Sequence, residues 1–435
     1  MLVSNISCVS TFFAFLHSHI LAFLHSRIKN LNLRNGNISC REKTFMPKAL
    51  IIINRLNIGG PASHAAYLTK YLQPDFETML ITGQIGDSEG NADYMAKELG
   101  IEPQYIKNMH RSINPKNDRK GYGEIKKIIK KFQPDVVHTH AAKPGALGRL
   151  AAYNCGVKNI LHTFHGHVFH SYFSPMKTRF FLEAERYLAK RSSSIIAISP
   201  LQKKELVEDF KICTAEKMEV VRLGYDFKKF YENLDEKRVE FRSKWGIDED
   251  EIAIGIVGRL VPVKNHGLFL EALKIALNQS SIKKIKAFII GDGESKTEIF
   301  QKAKALNLHI SDSADKKAQI IFTSWIKDIE KAYAGLDIVC LSSLNEGTPV
   351  SLLEAQAAGC HIVSTNVGGV KDVVDDQAFL SESGDIEAFA QNLVESSQNY
   401  DYKIRSLNIG NHKTIKEYSL ESMINRHKKL YFKYL

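Results

Sequence analysis

A chain of 435 residues with 44% hydrophobic and 25% charged residues is long enough for two globular domains of roughly 200 residues each. The formal net charge of +11 is spread over scattered Lys pairs such as Lys126–Lys127 and Lys130–Lys131, without interleaved aromatic residues. That pattern argues against nucleic acid as a partner and for solubility plus attraction to phosphates and a negative membrane leaflet. The cysteines (Cys8, Cys40, Cys155, Cys213, Cys340 and Cys360) show no CxxC or metal-ligand spacing, and the histidines form no HExxH. Neither a disulfide framework nor a metal centre is expected, and Cys340 and Cys360 read as buried thiols.

The segment 1–45 does not match the rest. Its apolar stretch lacks a basic leader and an A-x-A cleavage site, is barely long enough for a span, and contains His17, His19 and His25. Residues 1–45 are read as an extension without a fold ahead of Met46, in preference to a membrane anchor.

From Met46 onward, strand-like and helix-like runs alternate. Residues 49–54 predict a buried strand, followed by Gly59–Gly60–Pro61 and a helix to about Leu72. Strands follow at 76–82 and 104–106, then a basic amphipathic helix at 121–132 and a strand at 135–139. Residues 144–155 predict a helix stopped by Gly156, 159–164 a strand, 176–191 a helix, 194–198 a strand and 200–210 a helix. A charged stretch at 224–250 reads as linker and lead-in helix. A second series then places strands at 252–257, 287–290, 320–322, 337–341 and 361–364, with helices after Asn265, Glu294, Asp328, Pro349 and Asp385. This rhythm predicts right-handed βαβ units and an α/β fold of two Rossmann-like doubly wound domains facing a central cleft. The expected boundaries are 46–235 and 236–410, with 411–435 a C-terminal helix that can pack back on the first domain.

Chemistry concentrates at the predicted strand ends, where open α/β sheets bind ligands. Glu346 falls in the loop after the strand 337–341 and Glu354 in the second turn of the next helix, with Thr348 as N-cap, Pro349 as first helical residue and Gly359 as stop. Two acids beside a helix N-terminus suit a ligand carrying hydroxyls and phosphates, although an acid on a helix dipole plus a surface Glu would look the same. After the strand 252–257, Gly258 allows a turn while Arg259 and Lys264 can clamp a diphosphate. In the first half, Gly59 and Gly60 would let a ligand approach a helix N-terminus, and His165, followed by Gly166 and His167, would face the cleft. His138 and His140 are secondary cleft candidates. No G-x-G-x-x-G or GxxxxGK[ST] is present.

The segments GRL-x3-KN, EGTPVSLLEAQAAG and STNVGG resemble the second domain of retaining GT-B glycosyltransferases of family four, and the Gly-Gly turn and strand-His-Gly element resemble their first domain. The resemblance covers nearly everything from Met46 and implies a glycosyltransferase with the nucleotide sugar held mainly by the second domain and the acceptor by the first. It implies that Glu354 binds ribose hydroxyls, Glu346 lies beside the donor sugar, Arg259 and Lys264 neutralise the diphosphate, His165 contacts the sugar, and Gly59 and Gly60 approach the phosphate or acceptor side. Gly258, Gly347 and Thr348 belong to the same substrate-binding loops. Trp325 would line or cap the base, or else pack in the core. Two departures stand out: Cys360–His361 where many members have Pro, and Leu223–Gly224 in place of Asn-Gly.

No cofactor is expected, because the nucleotide sugar is a substrate, and the metal-binding Asp-x-Asp of the other large glycosyltransferase architecture is not expected either. The run from Thr163 to Ser174 resembles bacterial cell-surface polysaccharide transferases. That implies O-antigen or capsule assembly, for which a UDP-sugar is the favoured donor. The basic helix 121–132 and the excess charge suit a cytoplasmic enzyme peripheral on the inner face of the membrane with a glycan or polyprenyl-diphosphate-linked acceptor, although a solvated helix face would look the same. The alternatives are a sugar-nucleotide epimerase of the same architecture and a non-catalytic nucleotide-sugar binder.

Overall fold

Strand runs rich in Ile, Val and Leu bury both faces, as a parallel sheet covered by helices requires. The computed structural model describes residues 46–56, 60–84, 93–109, 114–166, 175–279, 284–376, 378–402, 405 and 413–435. The expectations for 1–45, Gly59 and His167 lie outside these residues.

The first sheet is built from β1 (Lys48–Ile53), β2 (Glu77–Gly83), β3 (Gln104–Ile106), β4 (Val136–His140), β5 (Asn159–Phe164), β6 (Ser194–Ala197) and β7 (Met218–Val220). They pair in the order β3-β2-β1-β4-β5-β6-β7, and every pairing is parallel. Alternation along β1 splits the core. Ala49, Ile51 and Ile53 pack on one face with α1 (Gly60–Tyr71), while Leu50 and Ile52 pack on the other with α2 (Pro115–Phe132). Helix α2 begins six residues before the predicted start. The Asn114 side chain accepts from the amides of Lys116 and Asn117 at 3.1 and 3.2 Å, and Pro115 supplies the first-turn φ. Two further helices, α3 (Ala142–Asn154) and α4 (Pro175–Lys190), complete the right-handed crossovers.

Helix α5 (Leu234–Trp245) joins the second unit through a buried charge cluster. Asp337 accepts from Arg238 at 2.7 Å, Arg242 at 3.1 Å and the Ala253 amide at 2.8 Å. The second sheet contains β8 (Ile252–Val257), β9 (Ile285–Ile290), β10 (Ile310–Ser311), β11 (Ile320–Ser324), β12 (Ile338–Leu341), β13 (His361–Thr365) and β14 (Phe379–Ser381), in the order β10-β11-β9-β8-β12-β13-β14, again all parallel. Helix α6 (His266–Leu277) covers one face with Phe269 and Leu273, and α7 (Val350–Ala357) the other with Leu352 and Leu353.

The final helix, α8 (Leu420–Lys433), returns to the first sheet, where Met423, Ile424, Leu430 and Tyr431 share the apolar cluster of β1 and α1. A Cβ at Gly224 would meet Met423 Cβ at 2.6 Å, so the glycine of the Leu223–Gly224 pair allows α8 to close onto the chain here. None of the helices is long and apolar enough to cross a membrane among the described residues.

Candidate active site

The order of the second sheet reverses direction between β8 and β12, a switch point of the kind at whose carboxyl ends open α/β sheets bind ligands. The two loops are bound to each other. Ser342 Oγ donates to the Lys264 carbonyl at 2.9 Å, and the Leu344 amide donates to the Val263 carbonyl at 2.8 Å. Across that joint, Lys264 Nζ lies 2.5 Å from Glu346 Oε1, and Ser343 Oγ donates to the same oxygen at 2.5 Å. The pair is mostly sheltered, with 24% of the Lys264 side chain and 10% of the Glu346 side chain exposed. Arg259, one residue beyond Gly258, is exposed, and no carboxylate pairs with it among the described residues. Gly258 is partly buried, its amide donating to the Ile290 carbonyl at 3.0 Å.

The loop of Glu346 is held by the glycines after β13. A Cβ at Gly369 would meet the Gly347 carbonyl oxygen at 1.9 Å, and one at Gly368 would meet that of Glu346 at 2.0 Å. The Gly369 amide donates to the Glu346 carbonyl at 3.1 Å. Close backbone approach thus explains the NVGG segment.

Two local expectations change. Thr348 does not cap the helix: Pro349 occupies the N-cap position in an extended conformation, α7 starts at Val350, and no side chain caps it. Its first amides therefore point from the loop uncapped, with Gly347 exposed and Thr348 partly buried beside them. Trp325 is not a core aromatic. It is 58% exposed, because β11 ends in a register shift with Ser324 at φ 53° that turns the chain outward.

Glu354 sits in the second turn of α7, partly buried. Burial pushes its carboxyl up to about 7, against a smaller downward pull from the Tyr333 hydroxyl and Lys229. Burial, with Glu354 beside it, holds the Tyr333 hydroxyl well above its usual value, and among the described residues it makes no hydrogen bond of normal geometry. Burial, with Glu354 on α7 and Tyr418 and Tyr67 in electrostatic reach, raises the Tyr225 hydroxyl above its usual value. Gly60, the first residue of α1, is exposed, and a Cβ there would touch only Leu223 Cδ1, at 3.9 Å.

His165 follows β5 and is partly buried; its Nε2 lies 3.0 Å from His140 Nδ1. His138 and His140 are wholly buried in β4, so neither lines an open cleft as expected. Burial, with repulsion from His427, pushes His165 down to about 3, so it is neutral near pH 7. The Asp248-Glu249-Asp250 triplet lies at the opposite end of β8 from the site, with Asp248 paired to Lys316 and Asp250 to Lys284. Among the described residues no group of three or more His, Cys, Asp or Glu is arranged to hold a metal ion.

Each half of the chain matches a family pattern. Residues 58–229 match the one described as Glycosyltransferase Family 4, and residues 237–406 the one described as Glycosyl transferases group 1. The chain is a GT-B glycosyltransferase of this group. It is 29% identical over 347 residues to the UDP-Gal:alpha-D-GlcNAc-diphosphoundecaprenol alpha-1,3-galactosyltransferase of Escherichia coli, which covers 78% of this chain and 85% of that protein. It is 23% identical over 307 residues to the capsular polysaccharide biosynthesis glycosyltransferase CapM of Staphylococcus aureus, covering 67% and 76%. The fold agrees with a glycosyltransferase from Rickettsia africae (TM-score 0.72, 22% identity, 89% of this chain and 98% of that one). It agrees equally with Anabaena HepE in complex with UDP (TM-score 0.71, 16% identity, 89% and 100%). Both agree with the expected fold of two Rossmann-like domains.

The sequence reading missed Ser342, which ties the two loops together, Ser343, which donates to Glu346 within its own loop, and Tyr333 and Tyr225 in electrostatic reach of Glu354. Serines and tyrosines outside a motif carry no signal until the fold brings them to a charged group.

Proposed function

We propose that this glycosyltransferase moves a hexose from a UDP-sugar to a polyprenyl-diphosphate-linked glycan, with retention, in cell-surface polysaccharide assembly. The carrying observation is the Lys264–Glu346 pair on the joined loops after β8 and β12, at the switch point of the second sheet. The names of the E. coli and S. aureus relatives support the substrate class.

In this reading Glu354 accepts the ribose hydroxyls, Trp325 stacks on the base, and Gly258, Gly347 and Thr348 shape the diphosphate loops. Arg259, Lys264 and the uncapped start of α7 face the diphosphate. The bond from the anomeric carbon to the diphosphate oxygen breaks with its electron pair leaving on the diphosphate. The sugar passes through an oxocarbenium-like state that Glu346 stabilises. The acceptor oxygen then bonds on the face the diphosphate leaves, and its proton passes to a diphosphate oxygen. His165 donates to or accepts from a sugar hydroxyl, and Gly60 lies on the acceptor side with Gly59. The basic face of α2 suits residence on an anionic membrane surface.

Purified protein is incubated with UDP-sugars and GlcNAc-diphosphoundecaprenol, and product is read by mass spectrometry with and without EDTA. Sugar transfer that survives EDTA is expected. Isomerisation without acceptor, or UDP binding with no turnover of any sugar nucleotide, overturns the reading.

A further inference from the structure

Behind His165 stands a set of imidazoles that the proposed reaction leaves unexplained. Strand register pairs His140 with Thr163 and His138 with Leu161, so β4 brings two rings directly behind the end of β5. His64 of α1 and His427 of α8 close the group, with His64 5.1 Å from the His165 ring, 5.3 Å from His140 and 5.0 Å from His427. His138 is fully occupied: Nδ1 lies 2.7 Å from the Tyr431 hydroxyl and Nε2 2.7 Å from Thr163 Oγ1. His140 is different. Its Nδ1 meets His165 Nε2 at 3.0 Å, while its own Nε2 and His165 Nδ1 are buried without a partner among the described residues.

We propose that His140 is a positioning residue that fixes the tautomer and ring orientation of His165; this rests on the reading of His165 as a contact to the reacting sugar. Burial and neighbouring imidazoles hold both rings well below the usual histidine range, so both are neutral and their shared hydrogen bond contains one proton. If His140 Nδ1–H donates, His165 must carry its proton on Nδ1. If His165 Nε2–H donates, its Nδ1 is bare. Whether His165 offers a donor or an acceptor beyond the pair is therefore set by His140. The rings on either side hold the geometry, with His138 4.2 Å from His140 and His64 edge-on to His165. The titratable groups acting on the pair are His64 from α1, His138 from β4, His162 from β5 and His427 from α8. A purely structural core would use apolar side chains here and avoid the unpartnered nitrogens.

The test uses the full-length enzyme with His140→Leu, His140→Phe, His140→Asn and His140→Gln, beside His165→Ala. Asn places its amide near the Nδ1 position and Gln near Nε2, so only Asn can restore the bond. His140→Leu and His140→Phe are expected to lower kcat about 10- to 100-fold, with KM for the UDP-sugar and UDP binding little changed. His140→Asn should recover most of that loss and His140→Gln little of it. Nitrogen-15 spectra should show a shifted His165 tautomer population in the Leu and Phe variants. Full kcat in both apolar variants, or equal losses in all four with unchanged His165 nitrogen shifts, overturns the role of His140 alone. Full transfer by His165→Ala overturns the reading of His165 and, with it, this proposal.

Discussion

Lys264 and Glu346, 82 residues apart in sequence, meet at 2.5 Å because the loops after β8 and β12 are hydrogen-bonded to each other. The pair is sheltered in the joint between the two loops, with side chains 24% and 10% exposed, and in the proposed reading it serves the reaction.

Lys264→Ala removes a cation from the diphosphate side and leaves Glu346 to Ser343 alone. Turnover is expected to fall about 10²- to 10³-fold, with the thermal midpoint shifted by only a few degrees. Glu346→Ala should lose a similar factor, and the double variant little more, because the two act as a unit. Steady-state sugar transfer beside thermal unfolding checks this; near-full transfer by both single variants would refute it.

Glu354 should impose two opposite pH dependences. Its folded pKa of about 7 lies above the unfolded carboxyl value of about 4.3. In the ligand-free protein its stabilising contribution is fully present below the unfolded value and is lost as pH rises through about 7. Ribose hydroxyls prefer the ionised acceptor, so UDP affinity should instead rise over the same interval. Glu354→Gln is expected to flatten both curves, read by urea unfolding and by calorimetric UDP titration. An unaltered pH dependence of UDP binding in that variant would count against the ribose contact.

The imidazole cluster should make the first sheet acid-sensitive. Burial holds His64, His138, His140, His165 and His427 below the usual value, His165 at about 3 and His427 at about 4. Depressed folded values contribute stability that is present above about pH 6.5 and lost as pH falls towards the folded values. Circular dichroism melts from neutral to acid pH should show this decline, and His427→Leu should make it shallower. The titrating rings lie between α1, β4 and α8, so α8 should lose hydrogen-exchange protection first.

Gly369→Ala should disturb the site without touching a charged residue. The new methyl would meet the Gly347 carbonyl oxygen at 1.9 Å, a contact with backbone that no rotamer relieves. The Glu346–Gly347 loop must move, and a displacement near 1 Å at a reacting centre costs about 10²-fold in turnover. Turnover close to wild type would show that the loop adjusts freely.

Much of the fold was legible because parallel strands buried on both faces are largely apolar runs: 159–164 and 252–257 match their strands to the residue. Of the short edge strands, β3 was read at 104–106, whereas β7, β10 and β14, of two or three residues, were not, since such lengths carry little periodicity. The early start of α2 was written in Asn114–Pro115, a capping signal overlooked in favour of the amphipathic stripe. Trp325 was undecided because its exposure depends on a register shift in β11 rather than on its neighbours in sequence.

The sequence by itself determined the alternation of strands and helices, the double-domain plan and the placing of Glu346, Glu354, Arg259 and Lys264 after strands, because burial and turn chemistry act over a few residues. Tertiary structure alone decided which of these groups meet. The Lys264–Glu346 contact, the upward shift of Glu354 and the His140–His165 bond all come from strand order and register, which bring distant residues together and remove water from between them.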